Sequence, residues 1–228
     1  MTSLMISERS AFIISGVILG ITISVFKSFI PQKIIHSKFW IGIGLFLTSV
    51  TGYVLYISSA LAPTVLSKGT FPKTRVIYYS HVGSYFSAWT NYSRLINDVK
   101  EKYHIDLSHS PSFGIYYDNP SKTPTEKLRS IIGICLPDQT KIDSLLDYSF
   151  GIINQFDETR EIVFPFRSDL SIMVNDKKGY PVINKFNHDN PTLDTTVPFE
   201  IYEKGPKTMK IIIGIGRSEG IMKEFPGA

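Results

Sequence analysis

Residues 113–136 read FGIYYDNPSKTPTEKLRSIIGICL, and the fold class depends on how this stretch is parsed. Phe113, Ile115 and Tyr117 fall on one side of an extended chain, with Tyr116 on the other. Arg129, Ser130 and Gly133 then punctuate a second apolar run that ends at Cys135. Spacing of two with Ile and Tyr at the apolar positions predicts strands. Pro120 has no N–H to give to a ladder and ends the first of them. The stretch therefore predicts a β-hairpin around a long, solvated loop.

The pattern repeats to either side. Upstream, Thr74–His81 has strand composition. From Ser84 to Tyr103 the period lengthens. Trp89, Tyr92, Leu95, Ile96, Val99 and Tyr103 recur at three- and four-residue steps, which predicts one helix with a single apolar face. Thr140–Asp147 predicts a short connecting helix and Phe150–Phe156 an extended segment. Downstream, Arg160–Phe166 predicts a strand. Asp169 caps a helix through Leu170, Ile172, Met173 and Val174, which Gly179-Tyr180-Pro181 is expected to interrupt. Val197–Tyr202 and Met209–Ile215 form a second hairpin across Glu203–Pro206. Two strand–helix–hairpin units imply an α+β domain over residues 75–216, a curved sheet or cradle with two helices outside. The concave surface between the copies is the natural ligand site of such an architecture.

Before this domain the composition changes. Ala11–Phe26 has no charge and extends to Ile30 if Lys27 snorkels, and Phe39–Ala62 is a longer apolar run with Trp40, Tyr53 and Tyr56. A spanning helix needs about 20 apolar residues. Two transmembrane helices, at about 11–30 and 39–62, are expected as a membrane anchor. Gly16 and Gly20 on the first and Gly44, Thr48 and Gly52 on the second allow close packing of the pair. Residues 63–74, with Pro63, Gly69 and Pro72, are expected to be a linker, and residues 217–228 a short tail.

The +4 formal charge sits mostly in the first 62 residues; the remainder has 20 basic and 19 acidic residues, well mixed. A nucleic-acid footprint needs basic residues gathered on one face, so no nucleic-acid partner is expected. The one cysteine, Cys135, rules out an intrachain disulfide and falls in a strand, as a core residue would. The sequon Asn91-Tyr92-Ser93 is expected to be unused on a cytosolic domain. His81, His104, His109 and His188 have no metal-ligand spacing, and no Ser-His-Asp set emerges, so neither a metal, a cofactor nor an enzyme activity is expected.

Several of these pieces, taken together, resemble a known family. They are Ile115-Tyr116-Tyr117-Asp118-Asn119-Pro120, Lys127-Leu128-Arg129-Ser130-Ile131-Ile132-Gly133, Asp169-Leu170-Ser171-Ile172, Tyr180-Pro181 and Phe199-Glu200-Ile201-Tyr202. In order and spacing, from about Arg75 to Ile215, they are similar to the testis-expressed protein 264-like family of membrane-anchored proteins with a GyrI-like domain. The resemblance implies a GyrI-like fold, an endoplasmic-reticulum membrane anchor with the domain facing the cytosol, and an adaptor or receptor role with a protein partner, related to reticulum autophagy. In that family an acidic tail carries the autophagy motif. This chain ends at Ala228, soon after its last expected strand, so that tail is expected to be missing.

The resemblance also implies chemistry. GyrI-like domains include small-molecule binders and some hydrolases, and in several a strand glutamate faces the ligand groove. Glu200 takes the matching position. It alternates with Phe199 and Ile201 and so faces either a groove or water. A carboxylate among aromatics can pair a small cationic ligand, and with a raised pKa can act as a general base. Tyr202, Tyr116, Trp89 and Tyr85 are the expected aromatic walls. The leading expectation is a membrane adaptor. The alternatives are a membrane-tethered small-molecule binder or hydrolase using Glu200, and a structural subunit of a membrane complex.

Overall fold

A computed structural model describes residues 38–137, 140, 148–216 and 220–223. The chain divides into two compact units, Met1–Leu61 with Arg167–Val174, and Ala62–Phe166 with Asn175–Ala228.

In the second unit eight strands make one antiparallel sheet, curled into a half-barrel. They are β1 (Ser67–Phe71), β2 (Thr74–Val82), β3 (Ser112–Tyr116), β4 (Arg129–Cys135), β5 (Ser149–Ile153), β6 (Phe156–Pro165), β7 (Phe199–Glu203) and β8 (Thr208–Gly214). Their order across the sheet is β1-β6-β8-β7-β3-β4-β2-β5. The two expected hairpins form as β3–β4 and β7–β8. The innermost strand of each, β3 and β7, pair with one another at the centre. β2 lies outside the first hairpin and β6 outside the second, so the duplicated units face each other across the β3–β7 seam.

Strand alternation sorts the residues of this sheet into two faces. One face carries Val76, Tyr78, Phe113, Ile115, Ile131, Phe199, Ile201 and Ile212, a continuous apolar core. Ile221 and Met222 seal it from a 3-10 turn at Gly220–Lys223, within the expected tail. Tyr117 Oη donates to the Ile221 carbonyl at 2.6 Å and fixes that turn. The free thiol of Cys135 belongs to this core, and burial pushes it up to about 12.

The opposite face is covered by helices. The expected helix from Ser84 is three pieces: α2 (Tyr85–Ala88), a 3-10 turn at Trp89–Asn91 and α3 (Tyr92–Tyr103). The apolar spacing runs unbroken through all three, so it does not reveal the tightening at Trp89. Leu95 and Val99 of α3 pack with Ile77, Ile134 and Leu136. The second helix, α4, runs unbroken over Asp169–Asp189, and the expected interruption at Gly179-Tyr180-Pro181 does not occur. Pro181 forgoes one backbone hydrogen bond within a helix held by tertiary packing. Gly179 serves close approach instead of a kink: a Cβ there would meet Ile211 Cδ1 at 2.4 Å.

Two further differences concern the ends of the domain. The expected linker contains β1, which pairs with β6 through Ser67↔Glu161 and Phe71↔Phe156. Ser67-Lys68-Gly69-Thr70 has little apolar content because only Phe71 of the strand is buried. Most of the expected helix at Thr140–Asp147 and the first expected span lie outside the described residues.

The first unit holds α1 (Lys38–Ile57), where the second span is expected. Among the described residues no helix is long and apolar enough to cross a membrane. The α1 surface is nonetheless apolar, with Ile41, Phe46 and Tyr53 exposed. Thr48, Ser49 and Thr51 turn their hydroxyls back onto the carbonyls of Gly44, Leu45 and Leu47. Arg167 donates to the Tyr56 carbonyl at 2.9 Å and Ser168 to that of Ile57 at 2.8 Å, satisfying carbonyls that a helix end leaves open. The Arg167 guanidinium also stacks over the Tyr56 ring, 4.2 Å from its centroid.

Candidate functional site

Glu200 stands at the middle of β7, on the helix-covered face. Its row across the sheet is Tyr79, Ile132, Gly114, Glu200, Ile211 and Ile162. The neighbouring row holds Ile77, Ile134, Ser112, Tyr202, Met209 and Phe164. Glu200 is therefore an acid among aliphatic and aromatic neighbours, and only 1% of it is exposed. The water-facing alternative does not hold, because both faces of this sheet are covered.

Small residues make room for rings beside the acid. Ser112, Gly114 and Ser130 lie on the same face of β3 and β4 and are buried. The Tyr116 ring lies over Gly114, where a Cβ would sit 2.8 Å from Tyr116 Oη. Trp89, placed by the 3-10 turn, donates its indole N–H to Tyr116 Oη at 2.9 Å. Its ring meets Tyr202 edge-on at 5.0 Å, and Phe166 meets Tyr202 from another side at 5.8 Å. Of the five residues expected at the site, Glu200, Tyr202, Tyr116 and Trp89 come together here. Tyr85 is one layer out: its ring packs on Tyr116 at 4.8 Å and its hydroxyl donates to the Asp118 carbonyl at 2.7 Å.

That outer layer is tied to the loop of the first hairpin. The Asp118 carboxylate accepts from Arg129 Nε at 2.9 Å, Arg129 Nη2 at 2.8 Å and the Arg129 backbone N–H at 2.8 Å. The Arg129 side chain accordingly holds Asp118 below the usual carboxylate range. The Tyr-Asp-Asn-Pro run thus closes the loop back onto β4 and, through Tyr85, onto α2.

Two members of the site were not expected from sequence, and both come from α4. Tyr180 Oη donates to Glu200 Oε1 at 2.7 Å, beside the short bond that Tyr202 Oη gives to Glu200 Oε2. Asp176, one helical turn before Tyr180, is near enough to Glu200 for the charge of either carboxyl to act on the other, and its Oδ1 is buried without a hydrogen-bond partner. The signal was the four-residue spacing of Asp176 and Tyr180, which places both on one helix face. Reading Gly179-Tyr180-Pro181 as a break concealed it.

The electrostatics come from this packing. Burial pushes the Glu200 carboxyl well up, against the hydrogen bonds from Tyr202 and Tyr180 that favour its ionised form. Asp176 is pushed up too, first by burial and then by the charge of Glu200. Tyr116, Tyr180 and Tyr202 are held well above their ordinary range, first by burial and next by Glu200, so they stay neutral donors. Among the described residues no Lys or Arg forms an ion pair with Glu200 or Asp176.

The site is closed by its own rings. Two surface clefts, at Lys73–Phe156–Gly216 and at Asn97–His104, lie elsewhere. Tyr85, Trp89, Tyr116, Asp176 and Tyr180 are each half-buried and form the layer between Glu200 and solvent. A ligand of Glu200 must displace some of them.

Residues 67–161 match the GyrI-like small molecule binding domain. The match contains Tyr85, Trp89 and Tyr116 and stops before α4 and the second hairpin. No curated protein sequence matches the chain. The fold is similar to solved structures at low identity. The C-terminal domain of EcmrR is 13% identical, with 68% of this chain and 99% of that one covered and a TM-score of 0.46. A hydrolase from Listeria innocua is 8% identical over 66% of this chain and 91% of that one, with a TM-score of 0.41. SAV2435 bound to tetraphenylphosphonium is 13% identical over 67% and 94%, with a TM-score of 0.37. These likenesses are too distant to transfer any site residue.

Proposed function

We propose that this protein binds a small, largely apolar cation at Glu200. The observation that carries the reading is a fully buried acid hydrogen-bonded by neutral groups, with aromatic rings around it and no basic side chain paired to it among the described residues. Such a carboxylate is costly to ionise in the interior, and an entering cation supplies the missing charge while the rings contribute cation–π contacts. Glu200 is the ion partner, Tyr180 and Tyr202 orient it, and Trp89 and Tyr116 form the wall. The match of residues 67–161 to a small molecule binding domain supports the same reading. The test uses tetraphenylphosphonium with the full chain carrying Trp40→Phe, so that Trp89 is the only indole. The expected result is quenching of Trp89 that saturates with ligand and is lost in Glu200→Gln. A Trp89 signal that no cation changes would refute the proposal. The protein is proposed to act as a binder and not as an enzyme, with the hydroxyls beside Glu200, those of Tyr180 and Tyr202, serving as its hydrogen-bond donors.

A second role, as a membrane adaptor, is favoured by α1, while the endoplasmic-reticulum location and the cytosolic orientation proposed for it come from the family resemblance. An apolar helix surface whose Thr48, Ser49 and Thr51 hydroxyls are turned back onto the helix suits lipid or protein and not water. The partner of that role and the link to autophagy rest on the family resemblance. Alkaline carbonate extraction of cell membranes tests it: the chain is expected in the pellet, and release to the supernatant excludes the role.

A further inference from the structure

The geometry points to Ser130 as a second anchor for the ligand: the cation held at Glu200 also carries a neutral hydrogen-bonding group, such as a hydroxyl, that pairs with the Ser130 side chain. The inference rests on the cation-binding reading above and adds what else that ligand must present.

Ser130 is flanked across the sheet by Tyr116 on β3 and His81 on β2. It shares the helix-covered face with Gly114, Tyr116 and Glu200. The residue is fully buried (0% exposed), yet its hydroxyl has no hydrogen-bond partner among the described residues. The polar groups around it are already engaged. Tyr116 Oη accepts from the Trp89 indole at 2.9 Å. His81 Nε2 lies 3.2 Å from the Ser84 carbonyl and 3.2 Å from the Ser87 hydroxyl. Gly114 and Ile132, its other neighbours on this face, have no polar side-chain atom. A buried hydroxyl left unpaired costs free energy, and alanine would fill the same space without that cost. A ligand group that pairs with Ser130 recovers the cost on binding.

The surroundings suit a ring. Ser112 and Gly114 lie beside Ser130 as small, buried residues, so the sheet is low there. What covers it is the layer that also shields Glu200: the Tyr116 ring, which lies over Gly114, and α2, which packs on β4. Displacing Tyr116 together with α2 therefore opens Glu200 and Ser130 at once. Ser130 is two strands across and two residues along from the position of Glu200. Strand geometry makes that roughly 12 Å between Cα positions. The span fits a ring system with its charge at one end and its hydrogen-bonding group at the other. Tyr79 Oη is also buried and unpaired, and it lies in the Glu200 row one strand beyond β4. It is the alternative anchor that the test separates from Ser130.

The test compares two phosphonium cations of matched size, 4-(hydroxymethyl)phenyl-triphenylphosphonium and 4-ethylphenyl-triphenylphosphonium, which differ by a hydroxyl in place of a methyl group. Kd is read from Trp89 quenching in the full chain carrying Trp40→Phe. The ratio of the ethyl Kd to the hydroxymethyl Kd cancels the difference in hydration of the two ligands when it is compared between variants. That ratio is expected to be about fivefold higher with Ser130 present than in Ser130→Ala, the size of one net hydrogen bond. It is expected to be unchanged in Tyr79→Phe. A ratio that Ser130→Ala leaves unaltered overturns the role of Ser130 and leaves the cation site standing, and so does a ratio moved by Tyr79→Phe alone. If neither cation quenches Trp89, the cation site itself is overturned. Urea unfolding of Ser130→Ala needs no ligand. Its midpoint is expected at or above that of the unsubstituted chain, and a clear fall would show that the hydroxyl is already paired in the free protein and would overturn the inference.

Discussion

Raising pH from 5 to 8 should destabilise the folded chain, the reverse of what most exposed carboxylates do. The Glu200 carboxyl moves from its ordinary 4.5 to about 7 on folding, chiefly because it is buried. A folded-state pKa above the unfolded value means that the folded state binds more protons between the two. Stability from this group is then complete below about 4.5 and is lost as pH rises toward 7. Each unit of displacement is worth about 1.4 kcal/mol, so the pair is expected to contribute on the order of 3 kcal/mol across the window. Asp176 is displaced in the same direction and adds the same sign. For a chain of this size 1 kcal/mol corresponds to roughly 2–4 °C in Tm, so the melting temperature should fall by roughly 5–10 °C. Thermal unfolding tracked by circular dichroism at pH 5, 6, 7 and 8 measures it. Glu200→Gln should shrink the slope, and Glu200→Gln combined with Asp176→Asn should flatten it. A wild-type Tm that is level or rising over this range would show that the pair is hydrated or otherwise compensated, and would refute the buried-pair electrostatics.

Other consequences are as direct. Gly133→Ala would put a Cβ 2.3 Å from the Ile77 carbonyl oxygen, in paired backbone that has nowhere to move, and is expected to cost about 3 kcal/mol in urea unfolding. Gly114→Ala would press on the Tyr116 ring at 2.8 Å; it is expected to weaken cation quenching of Trp89 severalfold while lowering Tm less than Gly133→Ala does. Arg129→Ala would leave Asp118 without two charge-assisted side-chain contacts and is expected to destabilise by about 2 kcal/mol, read as a shift in the urea midpoint. An unchanged midpoint would mean the loop is held by Tyr85 and the Arg129 backbone alone.

The sheet was largely legible in the sequence because its central strands alternate cleanly. Phe113–Cys135 and Val197–Ile215 each declare a hairpin, and their common order with the preceding strand and helix declares the duplication. β1 was not legible, since an edge strand that buries only Phe71 needs few apolar residues. Glu200 was identifiable as a strand acid among aromatics, but alternation tells which face a residue takes and not what covers that face. The cover came from α4, and its Gly179 and Pro181 carry the marks of a helix breaker. Only tertiary packing turns that glycine into a contact surface and lets Asp176 and Tyr180 reach the acid. Tyr85 was grouped with the wall by composition, whereas its hydroxyl is engaged with the Asp118 backbone.

Tyr116 and Tyr117 are consecutive, yet one hydroxyl belongs to the Glu200 site and the other anchors the Ile221 carbonyl on the far side of the sheet. A protein engineer who trims the chain after β8, treating residues beyond Gly214 as dispensable, would uncap the apolar core that Ile221 and Met222 seal and free the Tyr117 hydroxyl next to Tyr116. Expression libraries and reporter fusions for this domain should therefore run through Met222 before any tag is appended, and a truncated product that loses affinity should be blamed first on its missing stopper.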